Sequence, residues 1–126
     1  MTKKKQVPCK LSVNVENSPV IRLFVRILRC AAEVGATSVT ISPKDQKFSI
    51  FCSDGKNRRR IETDGNWRFV SAIVVRAKII SDLMISVKDR RQVGEFKTTA
   101  IKGFTVWKIR TWPTKDGESL RVDLIK

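Results

Sequence analysis

One amphipathic helix near the start of the chain constrains the fold most. Ser18 supplies an N-cap, Pro19 suits the first helical position, and Gly35 suits the position after a helix that ends at Val34. Its narrow polar stripe consists of Arg22, Arg26, Arg29 and Glu33. This stripe is either a solvated face or a contact for an acidic partner. Apolar side chains cover the rest of the helix, so the helix must pack on another layer of structure.

Three strands are predicted after this helix, over residues 38–42, 48–52 and 57–63. In each of the first two, alternate positions are apolar, as in a strand with one buried face. The Asp54-Gly55 pair between the second and third strands predicts a hairpin. Arg58 to Arg60 lie on the returning strand, which we expect at a sheet edge or facing solvent.

A second helix is predicted from about Trp67 to Leu83, with Lys78 and Asp82 on its wetter face. A strand near Glu95 to Thr99 follows it.

Two further strands are predicted at Phe104 to Arg110 and at Ser119 to Ile125. The segment between them, Thr111 to Glu118, is predicted to be a structured turn. Pro113 fixes φ within it, and Gly117 can adopt a positive φ.

This order of elements favours an α+β fold, an antiparallel sheet of about five to six strands with two main helices packed on it. A pair of small α/β lobes is the alternative. A length of 126 residues fits one domain. We expect a basic and partly flexible N-terminal lead over residues 1–17, followed by a single α+β domain over residues 18–126.

The chain is strongly basic, because 26 Lys and Arg residues outnumber 12 Asp and Glu residues and give a net charge of +14. Such a surface favours polyanions: nucleic acid, an anionic membrane face or an acidic protein. The charge is spread along the sequence, with short clusters at Lys3 to Lys5, Arg58 to Arg60 and Arg90-Arg91. Arg58, Arg59 and Arg60 form a candidate anion-binding patch, since Arg binds phosphate in a bidentate manner; alternatively they keep a strand edge soluble.

The three tryptophans, Trp67, Trp107 and Trp112, have two interpretations. They can stack on the bases of a single-stranded nucleic acid, or they can pack in the core or at its rim. Trp67 opens a helix and Trp107 lies between apolar residues. This setting favours packing for those two.

Residues for catalysis are scarce. The chain contains no His and no Tyr, and its glycines are isolated, so neither a Walker A loop nor a dinucleotide fingerprint is present. The widely spaced Cys9, Cys30 and Cys52 argue against zinc, and we expect Cys30 and Cys52 to be buried free thiols. No apolar run reaches membrane-spanning length. We therefore expect no enzymatic activity of the chain on its own, no cofactor, no metal site and a soluble, intracellular protein.

Five segments in order resemble one family. A capped helix from Pro19 to Val34 runs into Gly35 to Pro43, a strand leads to the turn at Asp54-Gly55, and a helix ends in Arg76 to Leu83. The remaining two segments are Asp89 to Phe96 and Ile109 to Leu124. In order and spacing they resemble the domain that precedes the motor core in type II secretion and type IV pilus assembly ATPases, here without the ATPase core.

The resemblance implies a PAS-like fold and a non-catalytic protein-interaction or assembly module. Its partners would be an ATPase core or other subunits of a secretion or pilus machine, including copies of the chain. Its location would be cytoplasmic, peripheral to the inner membrane through a partner complex. The alternative function is a basic nucleic-acid-binding module, and a regulator that binds an anionic small molecule is a third.

The resemblance also implies site residues. Two arginines that the family can direct toward bound nucleotide fall on Glu95 and Lys108, of which Glu95 reverses the charge. Arg90, Arg91 and Lys108 are therefore expected near a subunit interface or a nucleotide.

Overall fold

The computed structural model describes residues 6–11, 20–63 and 68–126. Two helices lie in these ranges, α1 (Val20–Glu33) and α2 (Arg68–Ile80). The strands are β1 (Gln6–Leu11), β2 (Ser38–Lys44), β3 (Lys47–Ser53), β4 (Arg58–Thr63), β5 (Gln92–Ile101), β6 (Phe104–Thr114) and β7 (Gly117–Ile125). The predicted caps at Ser18 and Pro19, the helix start at Trp67 and most of the N-terminal lead lie outside the described residues.

The strands form one sheet in the order β1-β4-β3-β2-β7-β6-β5. Every neighbouring pair from β4 to β5 is antiparallel, which confirms the predicted α+β class with its six antiparallel strands and two helices. β1 adds a parallel strand beside β4. β4, which carries Arg58 to Arg60, is therefore not an edge strand, because β1 pairs with it on the side away from β3.

Both helices pack on one face of the sheet. The core between them includes Phe24 from α1, Ile73 from α2 and Trp107 from β6, all almost fully buried. The rings of Phe24 and Trp107 meet edge to face with centroids 5.7 Å apart, and Phe96 contacts Trp107 at 5.4 Å. Trp107 is thus a core residue, as the packing interpretation predicts.

Each helix ends in a Schellman motif. At the end of α1, Gly35 has a φ of 84°, and the Ala36 amide donates to Ala31 O at 3.0 Å. At the end of α2, Asp82 takes the same left-handed position with a φ of 61°, and the Leu83 amide donates to Lys78 O at 2.8 Å. Because a non-glycine residue closes α2, the sequence pattern extends the helix about one turn too far.

In two hairpins the strands extend further toward the turn than the sequence predicts. β2 and β3 are joined by Asp45-Gln46, whose positive φ values of 51° and 65° are those of a type I′ turn. The predicted turn from Thr111 to Glu118 is mostly strand, because β6 and β7 pair as far as Thr114 and Gly117. Only Lys115-Asp116 forms the loop. Pro113 and Gly117, which predict the turn, instead lie in the paired hairpin ends of β6 and β7.

The cysteines correct a further expectation. Cys52 is free and buried, as predicted, and burial raises the pKa of its thiol above the usual 9.0. Cys30 is buried but disulfide-bonded, so it is not the free thiol that its place on a helix suggested.

Candidate functional site

The face of the sheet opposite the helices is polar and mainly basic; we call it the outer face. Side chains alternate along each strand, so residues in register across neighbouring strands share a face. One outer-face row crosses six strands and consists of Val93, Arg110, Arg121, Thr40, Phe51 and Arg60. The next row contains Glu95, Lys108, Asp123, Ser38, Ser53 and Arg58.

A groove of about 480 Å³ lies at one end of the outer face; we call it the basic groove. Its lining comes from β5, β6, β7 and the residue before β5, and consists of Arg91, Gln92, Val93, Lys108, Arg110, Thr111, Trp112 and Arg121. The structure thus brings together two of the predicted site residues, Arg91 and Lys108. The third, Arg90, does not line the groove and pairs with Asp89 at 3.4 Å on the exposed surface.

Sequence reasoning missed Arg110, Arg121 and Trp112 as members of one site. Each looks like an isolated polar or aromatic residue in the sequence. The signal that would have found them is the β6–β7 register, in which Arg110 faces Arg121 and Trp112 faces Ser119.

One acidic side chain organises the arginines of the groove. Asp123 Oδ1 accepts from Arg121 Nε at 3.2 Å and from Arg121 Nη2 at 3.0 Å. Asp123 Oδ2 lies 3.9 Å from Arg110 Nη2. The two arginine side chains remain 44% and 43% exposed, so one carboxylate orients two guanidinium groups that still face solvent. Glu95, in register with Lys108, is the other acid nearby.

Strand alternation divides the predicted patch at Arg58 to Arg60. Arg58 Cζ lies 3.9 Å from the centroid of the Phe51 ring, so its guanidinium covers an aromatic ring on the outer face. Arg60 is also on the outer face, in register with Phe51. Arg59 is on the other face and lines a small recess with Cys52. The three side chains therefore do not converge on one anion.

A buried ion pair joins α2 to β7. Lys78 Nζ lies 2.8 Å from Glu118 Oε2 and donates to Glu118 Oε1 at 2.9 Å, with the two side chains 1% and 13% exposed. The same ammonium donates to Val87 O at 2.7 Å. The predicted wet position of Lys78 is wrong, because Glu118 and the loop after α2 cover that part of the helix.

The loop between α2 and β5 is held in place at several points. Gln92 Oε1 accepts from the Met84 amide at 2.9 Å, and Gln92 Nε2 donates to Met84 O at 2.9 Å and to Val87 O at 3.2 Å. Gly94 packs so closely against the residues that follow α2 that an added Cβ would be 2.8 Å from Ser81 O. These contacts fix the loop end that carries Arg91 into the basic groove.

A second cavity, of about 250 Å³, lies between α2 and the β6–β7 hairpin. Val70, Val74 and Pro113 give it an apolar wall, and Lys88 and Glu118 bring charge to its rim. It is a small cleft beside the buried ion pair.

The acidic turn at Asp54 has a structural role. Its Oδ1 accepts from the amides of Lys56 and Asn57, both at 2.8 Å, and these bonds hold the pKa of the Asp54 carboxyl below its usual 3.8. The Asp54 carboxylate therefore stabilises the turn between β3 and β4. Within the described residues no three His, Cys, Asp or Glu side chains are grouped as metal ligands, and neither described helix has the length and apolarity to cross a bilayer.

Comparison with known proteins finds a similarity to a pilus assembly ATPase. No protein-family model matches the chain. It is similar to the type IV pilus assembly ATPase TfpB of Acinetobacter baylyi, with 32% identity over 103 residues. The match covers 80% of this chain and 17% of that ATPase. The chain is therefore related to a type IV pilus assembly ATPase and corresponds to a small part of its length.

Proposed function

We propose that this chain is a non-catalytic interaction module of the assembly ATPases that serve type IV pilus or type II secretion machines. The observation that carries the proposal is the extent of the match: most of this chain aligns with a small part of a pilus assembly ATPase. A segment of that kind is suited to join a motor to its neighbours.

The fold supports a rigid module. The motif that ends α2 and the motif around the β6–β7 hairpin, both part of the family resemblance, meet in the Lys78–Glu118 pair. Hydrogen bonds between Gln92 and Met84 hold the adjoining loop in place. A surface held in this way loses little conformational entropy when it docks.

In this proposal, the partner protein contacts the basic groove and the neighbouring Arg90. Arg91 is exposed and Lys108 is half-buried, and both present cations at the same groove. An acidic patch on an ATPase core, or on a second copy of this chain, would complement them. The complex would be located at the cytoplasmic face of the inner membrane.

The absence of catalysis is part of the proposal. The sequence has no His, no Tyr and no phosphate-binding loop, and the turn carboxylate of Asp54 is occupied by backbone amides. We expect the purified chain to release no phosphate from ATP above the blank. Hydrolysis that copurifies with the chain would contradict this.

Binding is tested separately. Titration calorimetry of the purified chain into TfpB should show saturable binding that weakens at least fivefold in the variant Arg91→Ala/Lys108→Ala. A variant of equal charge loss on α1, Arg22→Ala/Arg26→Ala, is the matched control, since both side chains are exposed on the other side of the molecule. No binding to TfpB, or equal weakening in both variants, would contradict the proposed interface.

A further inference from the structure

We propose that the outer face of the sheet, from the basic groove to Arg60, is a binding surface for single-stranded nucleic acid. This goes beyond the assembly function, which needs only the groove end of that face. The ligand is identified by how cations and aromatic rings are distributed over the described strands.

The charge on this face is strongly one-sided. By strand alternation and register, its cations in the described strands are Lys44, Lys47, Arg58, Arg60, Lys97, Lys108, Arg110 and Arg121. Three acidic residues of these strands belong to the same alternation: Glu95, Asp123 and Glu62, which lies two residues after Arg60 on β4. Neutral hydroxyl residues, among them Thr40 and Ser42, occupy the central strand β2.

The cations form a track rather than a point. Arg110, Arg121 and Arg60 stand in one row, and four strand spacings separate Arg110 on β6 from Arg60 on β4. At about 4.8 Å per spacing, the row of cations extends about 19 Å. A single phosphate or a mononucleotide engages one end of such a row, whereas a chain of phosphates engages both ends.

Aromatic rings lie beside the cations. Trp112 is half-buried in the wall of the basic groove, two residues after Arg110 on β6. Phe51 lies in the same row as Arg60, under the Arg58 guanidinium. The unstacked bases of a single strand can stack on such rings and on guanidinium planes, while the phosphates of the strand bind the cations.

The arrangement favours a single strand over a duplex. Both described helices pack on the opposite face, so neither of them projects from the outer face into a major groove. An open sheet presents its side chains to bases that are already unpaired. The surface also favours nucleic acid over an acidic peptide, because the ring of Trp112 and the guanidinium over Phe51 match flat bases.

The test is fluorescence anisotropy with a labelled 20-nucleotide oligo(dT), titrated with the full chain between 50 and 200 mM salt. Contact with three or four phosphates gives a slope of about −2 to −3 in log K against log salt, or about a 30-fold loss over this range. Arg60→Ala should lower the magnitude of the slope by about 0.7, and Trp112→Ala should weaken binding about fivefold to a hundredfold.

The control is Arg26→Ala, which removes the same charge from α1. The proposal is supported if Arg60→Ala changes the salt slope and Arg26→Ala does not. It is overturned if the two variants behave alike, if a 20-base-pair duplex or a poly-glutamate peptide binds as tightly as the oligonucleotide, or if no binding is seen at 50 mM salt. Failure of this test leaves the calorimetric binding to TfpB unaffected, so the two proposals are separable.

Discussion

Lys78 and Glu118 are 40 residues apart in sequence, and the ammonium of one lies 2.8 Å from the carboxylate of the other. The lysine also donates to Val87 O at 2.7 Å. One buried cation therefore joins α2, the loop that follows it and the start of β7. Since burial of a charge is costly unless it is paired, the three elements depend on one another.

Removing one partner of this pair should destabilise the protein strongly. Lys78→Met leaves a mostly buried carboxylate without its cation, and we expect a loss of about 3 kcal/mol in the free energy of unfolding. The double variant Lys78→Met/Glu118→Gln should recover a large part of that loss. Urea denaturation measures both. As a control, Arg90→Ala breaks the exposed pair with Asp89 and should cost less than about 1 kcal/mol. Equal losses at Lys78 and Arg90 would contradict the buried pairing.

Gly94 should not accept a side chain. The Cβ of Gly94→Ala would meet Ser81 O at 2.8 Å, and a backbone atom cannot rotate away, so we expect a loss of about 1–3 kcal/mol in unfolding free energy. Adding Leu83→Ala should give no rescue, although Leu83 Cδ2 is also near, at 3.0 Å. The neighbouring Val93→Ala, at a 57% exposed position, serves as the control and should stay within about 0.5 kcal/mol. Rescue by Leu83→Ala would show that the backbone contact is not limiting.

Gln92 should govern the local opening of the loop after α2. Gln92→Ala removes the acceptor for the Met84 amide, so exchange of that amide should accelerate by about fivefold, the equivalent of about 1 kcal/mol. Gln92→Glu keeps an acceptor but loses both donations to Met84 O and Val87 O. Its effect should be intermediate. Amide hydrogen exchange followed by NMR distinguishes the three proteins, and unchanged protection of Met84 in Gln92→Ala would refute this role.

The Asp54 turn should make stability depend on pH in the acid range. The pKa of Asp54 is lowered in the folded state, first by its bonds to the Asn57 and Lys56 amides. Its contribution is therefore fully present above the unfolded pKa near 3.8 and is lost as the pH falls through the lower folded value. The difference in unfolding free energy between wild type and Asp54→Ala should shrink as the pH is lowered from 5 to 2. A constant difference over that range would rule out the ionised turn.

Local sequence patterns predicted the helices and strands well where the pattern lies within the element or its turn. The stripe on α1, the Gly35 end and the Asp54-Gly55 hairpin depend on residues a few positions apart, and all three are present. Predicted boundaries differ from the structure where a residue acts against its usual preference. Asp82 closes α2 in a left-handed conformation, and Pro113 lies within a strand.

The candidate site could be predicted only in part. Arg91 and Lys108 were indicated by the family resemblance, and the structure places both in one groove. Arg110, Trp112 and Arg121 join them only through the β6–β7 register, for which the sequence pattern has no direct signal. Arg58 to Arg60 are adjacent in sequence but are separated in the structure, because adjacent residues in a strand point to opposite faces.

The sequence by itself determined the α+β class, the wide apolar face of α1 and the excess of positive charge, since these depend on composition and on short periodicities. Tertiary structure alone decided that Lys78 is buried and which cations lie together on the outer face. The physical reason is that burial and pairing are set by strand register and helix packing. Those contacts join residues as far apart as Lys78 and Glu118, beyond the reach of any local pattern.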